Sequence, residues 1–429
     1  MERLFKLTDH GTTVQRELIA GLTTFLTMSY ILAVNPGMLS ETGMPKEAVF
    51  TATVIASLVA TLVMAFAANL PVALAPGMGL NAFFTYTAVI GLGYSWQVSL
   101  TAVFLEGVLF IFLSLFNVRE AIVRAIPGNL KRAVAVGIGL FIALIGLEGS
   151  GVIVGSPATL VTIGEITSGS ALVTIIGLII TIGLYANKIP GAILLGILLT
   201  TVVGIPFGVT PLSGDFQLFR APAAPLFFQF DFSQIATMKF FTIFFTFLFV
   251  DIFDTVGTLM GVTTQAGLTD AQGNIPRVKQ AFLADAVGTI VGAGLGTSTV
   301  TSYVESTAGV AAGGRTGLAS VATAALFLVA LFLSPVFLLI PQAATAPALV
   351  IVGFLMMRAV TNIDFQDLTE GIPAFITIVM MPFAYSIAEG IVYGVLSYVL
   401  IKLLTGRLRD VPIITWILSV IFVLRFFLK

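Results

Sequence analysis

The sequence predicts an all-α integral membrane protein of fourteen transmembrane helices, arranged as two inverted repeats of seven, with short extended segments breaking spans 3 and 10. Three observations predict it. The chain is 58% hydrophobic and only 10% charged, with a mean hydropathy of +1.08, whereas soluble domains carry about 25% charged residues. Apolar runs of about 15 to 25 residues recur from Ile19 to Phe427, each close to the length that crosses a hydrocarbon core of about 30 Å as a helix. One long polar connection, 208–237, divides the chain into halves of similar length.

Cutting at polar, Gly and Pro punctuation places the spans near 18–38, 47–68, 72–92, 97–116, 131–152, 171–187, 190–206, 238–263, 279–294, 298–313, 316–340, 345–361, 371–386 and 388–405. The N-terminal stretch 1–15 is polar and lacks the apolar core of a cleaved signal, so it reads as a cytosolic tail. With that end in the cytosol, nearly every Lys and Arg outside the spans falls inside, among them Arg16, Lys131, Arg132, Arg315, Arg358 and Arg407; only Lys46, Arg220 and Lys239 fall outside. Positive-inside bias demands this of a correct count. The expected location is the cytoplasmic (inner) membrane with both termini in the cytosol.

The organisation that follows is a first repeat over 1–207, an extracytoplasmic linker over 208–237, a second repeat over 238–410, and a last apolar stretch over 411–429. Crossing by that last stretch would strand Arg425 and Lys429 outside, so an interfacial or re-entrant helix is expected. An odd number of spans per half implies inverted topology, the usual build of secondary transporters, whose sites lie at mid-membrane where broken helices of the two halves meet.

Span 3 opens Asn69-Leu70-Pro71-Val72-Ala73-Leu74-Ala75-Pro76-Gly77-Met78-Gly79-Leu80-Asn81. Its two prolines and two glycines forbid a continuous helix before about Gly77. The counterpart in the other half, Gly294 to Thr307, is rich in β-branched and hydroxyl residues and reads as strand-like. Irregular backbone at membrane depth survives only where protein buries it or it lines a cavity, so paired breaks mark a candidate ligand site.

Cys is absent and the one His is His10, which excludes thiolate nucleophiles and the common His/Cys metal sites. Proton chemistry then falls to carboxylates, and no cofactor is expected beyond the proton as coupling ion. A net charge of −1 without a basic tract gives no reason to expect nucleic-acid binding. Asp251, Asp254 and Glu305 lie inside predicted spans, with Glu106, Asp285 and Glu389 as lesser cases. Each ionised carboxylate at mid-bilayer costs about 2.5–3.5 kcal/mol on the insertion scale. Asp251 and Asp254 are three apart, hence on one helix face. With no basic residue in the same spans, at least one of the three acids is expected to hold a proton at neutral pH, as proton coupling requires. The amide of Asn81 offers donors and an acceptor matching a base edge, and by spacing serves equally as a helix cap. Phe25, Phe83, Phe84, Phe253 and Tyr303 are candidates to stack on a flat ring.

Thr23 to Pro36 (TTFLTMSYILAVNP), Ala75 to Phe83 (APGMGLNAF), Phe249 to Leu259 (FVDIFDTVGTL) and Val300 to Gly309 (VTSYVESTAG) together resemble the AzgA-like branch of the nucleobase-cation symporter-2 family, the adenine, guanine and hypoxanthine permeases. The resemblance runs from about Leu4 to the C-terminus. It implies a core domain (spans 1–4 and 8–11) moving against a gate domain (spans 5–7 and 12–14), and a homodimer formed through gate helices. Carried over by position, Asn81 matches the polar residue of span 3, Asp251 and Asp254 the acidic pair of span 8, and Glu305 the acid of span 10. The substrate-binding candidates are Asp254, Glu305, Asn81, Phe25, Thr24, Ala75, Gly79, Ser302 and Tyr303; the proton-coupling candidates are Asp251, Glu305 and Asp254. Relatives that carry uracil or xanthine have a His where this chain has Thr258, which moves the expected substrate toward purines of the AzgA-like kind.

The expected function is therefore proton symport of a purine nucleobase across a lipid bilayer, by a protein that is not an enzyme. An anion exchanger of the same general fold would want a positive site, which three acids oppose. Acidic rings suit a cation channel, but acids on mirrored broken helices suit alternating access better. An intramembrane aspartyl protease needs carboxylates on two facing helices, whereas Asp251 and Asp254 share one.

Overall fold

A computed structural model describes residues 2–115, 127–167, 169–211, 217–269 and 275–427. Among them ten helices are long and apolar enough to cross a membrane. The shorter helices Ala192–Gly204 and Leu368–Phe383 and two broken segments complete fourteen crossings in the order read from the hydropathy. Span 1 runs Val14–Met28 and, after a turn at Ser29 and Tyr30, Ile31–Ser40. Thr13 starts it, its hydroxyl accepting from Arg16 N at 3.3 Å. Spans 2 and 4 are Lys46–Ala68 and Trp96–Leu115; spans 5, 6 and 7 are Gly128–Gly149, Gly169–Ala186 and Ala192–Gly204. Spans 8 and 9 are Met238–Gln265 and Val278–Leu295; spans 11 to 14 are Gly317–Leu338, Gln342–Met357, Leu368–Phe383 and Ile387–Leu404.

Spans 3 and 10 are the broken ones, for the reasons their sequences give. Span 2 ends on Asn69 in the left-handed region (φ 54°), and the Pro71 to Pro76 stretch then runs extended into strand β1, Leu74–Pro76. Helix resumes at Met78–Ala82 and continues in wider turns over Phe83–Gly91. In the second half Gly296 (φ +96°) stops span 9, a conformation that favours glycine. The threonine-rich run then leads to a strand, Val300–Ser302, before the short helix Ser306–Ala311. The two strands pair antiparallel with Leu74 opposite Ser302, Ala75 opposite Thr301 and Pro76 opposite Val300. Gly77 N donates to Thr299 O and Tyr303 N to Ala73 O, both at 3.0 Å. Each break thus satisfies the other's peptide groups at a depth where water is not available to do so.

Spans 1, 2, 3, 4, 9, 10 and 11 pack on one another, and spans 5, 6, 7, 12, 13 and 14 form a second packing group. Span 8 packs against spans 4 and 10 and also touches spans 5 and 14. Glycines set the closest crossings: Gly139 of span 5 and Gly353 of span 12 each face the other's carbonyl, with no room for a side chain between. Across the first group, the buried Glu17 carboxylate accepts from Arg315 N at 2.8 Å, Ala319 N at 3.1 Å and Thr316 N at 3.2 Å, and so caps the start of span 11.

A hairpin of Ile153–Ser156 and Leu160–Ile163 joins spans 5 and 6, where sequence patterning shows only a loop. The C-terminal helix Ile413–Phe427 lays Thr415, Leu418 and Phe422 against Ile391 and Val395 of span 14, Leu130 and Val134 of span 5, and Phe249 of span 8. It therefore runs along the bundle. The Arg425 side chain and Lys429, which weighed in the sequence reading of this stretch, lie outside the described part of the structure.

Candidate functional site

The strand Val300–Ser302 delivers Glu305 to the start of the half-helix Ser306–Ala311, where its backbone is already helical (φ −58°, ψ −19°). The residue as a whole is 9% exposed. Tyr30, in the turn that interrupts span 1, donates to Glu305 Oε1 at 2.6 Å, and the Thr27 hydroxyl reaches the Glu305 carbonyl at 3.4 Å. Asp254 on span 8 is half-buried and faces the same space; a Cβ added at Gly77 would stand 3.6 Å from Asp254 Oδ2. The same Cβ would stand 2.6 Å from Thr301 Cγ2, so the glycine at 77 is what lets the first break close on the opposite strand beside the acid.

Asp254 and Glu305 line one cavity of about 800 Å³. Its walls include Val134, Ala135 and Ile138 of span 5 and Ile193 of span 7, and its other end is bordered by Lys131, Arg132 and Arg358. On the opposite side of the breaks the helix ends are drawn together. Tyr86 donates to Glu41 Oε1 at 2.9 Å, Gln342 Nε2 donates to the same oxygen at 3.1 Å, and Tyr385 donates to Glu148 Oε2 at 2.5 Å. The rings of Tyr86 and Tyr385 meet edge-on at 6.2 Å.

The remaining sequence candidates do not line this cavity among the described residues. Asn81 is fully buried; its amide donates to Pro76 O at 3.4 Å and its Oδ1 accepts from Ser298 Oγ, so it ties one break to the other. Tyr303 donates to Pro76 O at 2.5 Å. Ala75 and Ser302 lie within the paired strands. Thr24 packs where a side chain on Gly309 would stand, and Gly79 packs against Ile138. Phe25 meets Phe327 edge-on at 5.4 Å. Phe83 is fully buried and crosses Phe247 at 4.8 Å, and Phe84 is likewise fully buried. The Phe253 side chain lies outside the described part of the structure.

Behind the strands lies a second polar layer, with Glu106, Asp251 and Asp285 all fully buried. The Thr255 hydroxyl sits 3.0 Å from both oxygens of Asp285, 3.3 Å from Asp251 Oδ1 and 2.7 Å from Thr301 Oγ1. Thr299 donates to Glu106 Oε2 at 2.7 Å. One threonine hydroxyl carries a single proton, so Thr255 donates to one carboxylate at a time while Thr301 supplies or receives another. Asp251 belongs to this layer and not to the cavity wall. Of the residues that hydrogen-bond the acids or their partners, sequence reasoning missed Tyr30, Thr255 and Thr301; a tyrosine inside the long Thr23–Pro36 motif, next to the break in span 1, was the available signal for the first. No group of three His, Cys, Asp or Glu able to hold a metal occurs among the described residues.

Residues 15–393 match a family described as the Permease family. The chain is 45% identical over 441 residues to the guanine/hypoxanthine permease PbuG of Bacillus subtilis, covering 100% of both chains. It is 44% identical over 427 residues to the adenine permease AdeP of Escherichia coli, covering 99% of this chain and 95% of that one. Among solved structures, the transmembrane domain of the cyanobacterial bicarbonate transporter BicA superposes with a TM-score of 0.65 at 15% identity, covering 89% of this chain and 97% of that one. That likeness bears on the fold.

Proposed function

Because the chain belongs to this permease family, the nucleobase-cation symporter-2 family that its motifs resemble, we propose that it imports purine nucleobases by proton symport with alternating access. The chain is a membrane transporter and not an enzyme. The observation that carries the reading is the pair Asp254 and Glu305, on spans 8 and 10 of the second half, exposed to one cavity beside the strands at which the two halves cross. Two carboxyls present acceptors, or donors when protonated, to the N–H and ring-nitrogen edge of a purine. The relatives that act on adenine and on guanine and hypoxanthine support this substrate class. Two acids at the level of the crossed strands, where the broken helices meet, oppose an anion at that point, the reading that the bicarbonate transporter's fold would otherwise invite.

In this reading the two packing groups act as core and gate, with the core carrying the strands and the carboxyls. The cavity opens toward Lys131, Arg132 and Arg358, which positive-inside bias assigns to the cytosol. The conformation is then inward-facing, in a cytoplasmic membrane with both termini inside. A second copy docking through the gate helices makes a homodimer. Proton movement across 100 mV supplies about 2.3 kcal/mol per charge, equivalent to roughly fiftyfold accumulation. Asp251 and Asp285 behind the strands would pass or retain the proton through Thr255 and Thr301.

The test is uptake of labelled hypoxanthine, guanine, adenine and uracil into proteoliposomes, with and without an inward proton gradient, for the wild type and Glu305→Gln. Gradient-driven accumulation of a purine, lost in the variant, is the expected result. Absence of purine uptake under every gradient would overturn the proposal.

A further inference from the structure

The cavity is larger than a nucleobase needs. At about 800 Å³ it falls in the range that holds a whole drug-sized ligand, about 300–1,000 Å³. Its two ends also differ in chemistry, with carboxyls at Asp254 and Glu305 and cations at Lys131, Arg132 and Arg358. Positive-inside bias accounts for basic residues at these helix ends, but not for three of them bordering one cavity.

Span 5 shows what the basic end would take. Gly128, Lys131, Val134, Ala135 and Ile138 all line the cavity, and 131, 134, 135 and 138 fall on one helix face. Lys131 and Arg132 stand at the start of the helix, where the dipole is positive and cations are disfavoured, and no acid occupies that first turn. Arg132 is held by Asn129 Oδ1 at 3.2 Å, and neither it nor Arg358 forms an ion pair among the described residues. A helix start, two guanidinium groups and an ammonium together favour a phosphate.

The spacing says what else that ligand carries. Ile138 packs on Gly79, and the same break brings Gly77 against Asp254, so Ile138 marks the level of the carboxyl end. Lys131 lies seven residues below it, about 10 Å along the helix at 1.5 Å per residue. That is about the reach of a nucleoside 5′-monophosphate from its base edge to its phosphate.

We propose that the open cavity binds a purine nucleoside 5′-monophosphate, with the base at Asp254 and Glu305 and the phosphate at Lys131, Arg132 and Arg358, and that this nucleotide competes with the free base. The inference rests on the purine reading above. A phosphorylated product accumulating on the side to which the cavity opens would thereby hold the transporter still.

The experiment is displacement of labelled purine base from the purified full-length protein by guanosine 5′-monophosphate and adenosine 5′-monophosphate. Guanosine, adenosine and inorganic phosphate serve as comparators, in lipid nanodiscs with and without phosphatidylglycerol. We expect one nucleotide to displace the base at least tenfold more effectively than its nucleoside with added phosphate. The double variant Lys131→Gln/Arg132→Gln should lose that advantage and keep its affinity for the base, and Arg358→Gln, prepared separately, should reduce it. A nucleotide no better than its nucleoside, or an advantage that survives both sets of substitutions, overturns the proposal. It is equally overturned if the basic residues alter only the response to phosphatidylglycerol, which would assign them to a lipid headgroup. Failure of the base itself to bind, in the arm without nucleotide, overturns the purine reading and is seen separately.

Discussion

The hydroxyl of Tyr30 donates to Glu305 Oε1 at 2.6 Å, so a residue in the turn that interrupts span 1 orients a carboxyl at the start of the half-helix in span 10. Both groups are buried, and Glu305 also lines the cavity. Tyr30→Phe keeps the ring and removes only the hydroxyl. Hydrogen bonds to charged groups contribute about 1.5–3 kcal/mol, so substrate affinity should fall by about ten- to a hundredfold. Transport assays should show this in KM more than in the maximal rate, with the detergent melting temperature little changed. An unchanged KM would mean that Glu305 does not need Tyr30 to meet its substrate.

Thr255 is the junction of the buried layer, within reach of Asp285, Asp251 and Thr301. Thr255→Val preserves shape and removes the hydroxyl that joins them. If protons reach the site through this layer, the variant should lose gradient-driven accumulation while still exchanging internal for external base. Thr255→Ser should restore accumulation. Comparing exchange with accumulation in the same vesicles makes the distinction, because a misfolded variant loses both.

Much of this architecture was legible in the sequence, because hydropathy and punctuation are local. The Pro71–Pro76 stretch and the Thr297–Thr301 run each announce a break, and those breaks hold the paired strands Leu74–Pro76 and Val300–Ser302. Which polar side chains face the cavity was less legible. Asn81 and Tyr303 carry suitable groups, yet both spend them holding one break to the other, a role fixed by strand register and not by residue type. Tyr30 meets its partner across 275 residues of chain, and nothing in local spacing signals such a contact. The hairpin after span 5 was missed because its strands are short and its apolar residues read as loop.

Two glycines separate motion from stability. A Cβ on Gly79 would stand 2.7 Å from Ile138 Cγ2, across the surface between the two packing groups. A Cβ on Gly317 would meet the backbone of Ala65, 2.8 Å from its Cα and closer still to its carbonyl oxygen. Ile138 belongs to span 5 of the other packing group, which can shift as a body, whereas Ala65 and Gly317 meet within one group. Gly79→Ala should therefore fold and melt near the wild-type temperature but transport poorly, whereas Gly317→Ala should be destabilised by at least about 1–3 kcal/mol. Thermal melts in detergent beside uptake rates measure both. Equal loss of stability in the two variants would contradict the distinction.

The tyrosines at the closed end provide a direct probe of alternating access. Tyr86 of span 3 and Glu41 at the end of span 1 meet Gln342 and Tyr385, which belong to the other packing group. These contacts exist only while that end is shut, so removing them should shift the population toward a conformation open there. The chain contains no Cys, so a single cysteine introduced at Val256 in the cavity wall reports accessibility without background. In the wild-type setting a membrane-impermeant maleimide should label it from the side of Lys131 and Arg132. With Gln342→Leu and Tyr86→Leu added, which remove the Gln342–Glu41 hydrogen bond and the Tyr86–Tyr385 ring contact between the groups, labelling from that side should slow and labelling from the opposite side should appear. Loss of one hydrogen bond worth about 1 kcal/mol and one ring contact worth about 0.5–1.5 kcal/mol predicts a change of about tenfold in the ratio of the two rates. An unchanged ratio would mean that these contacts follow closure and do not hold it.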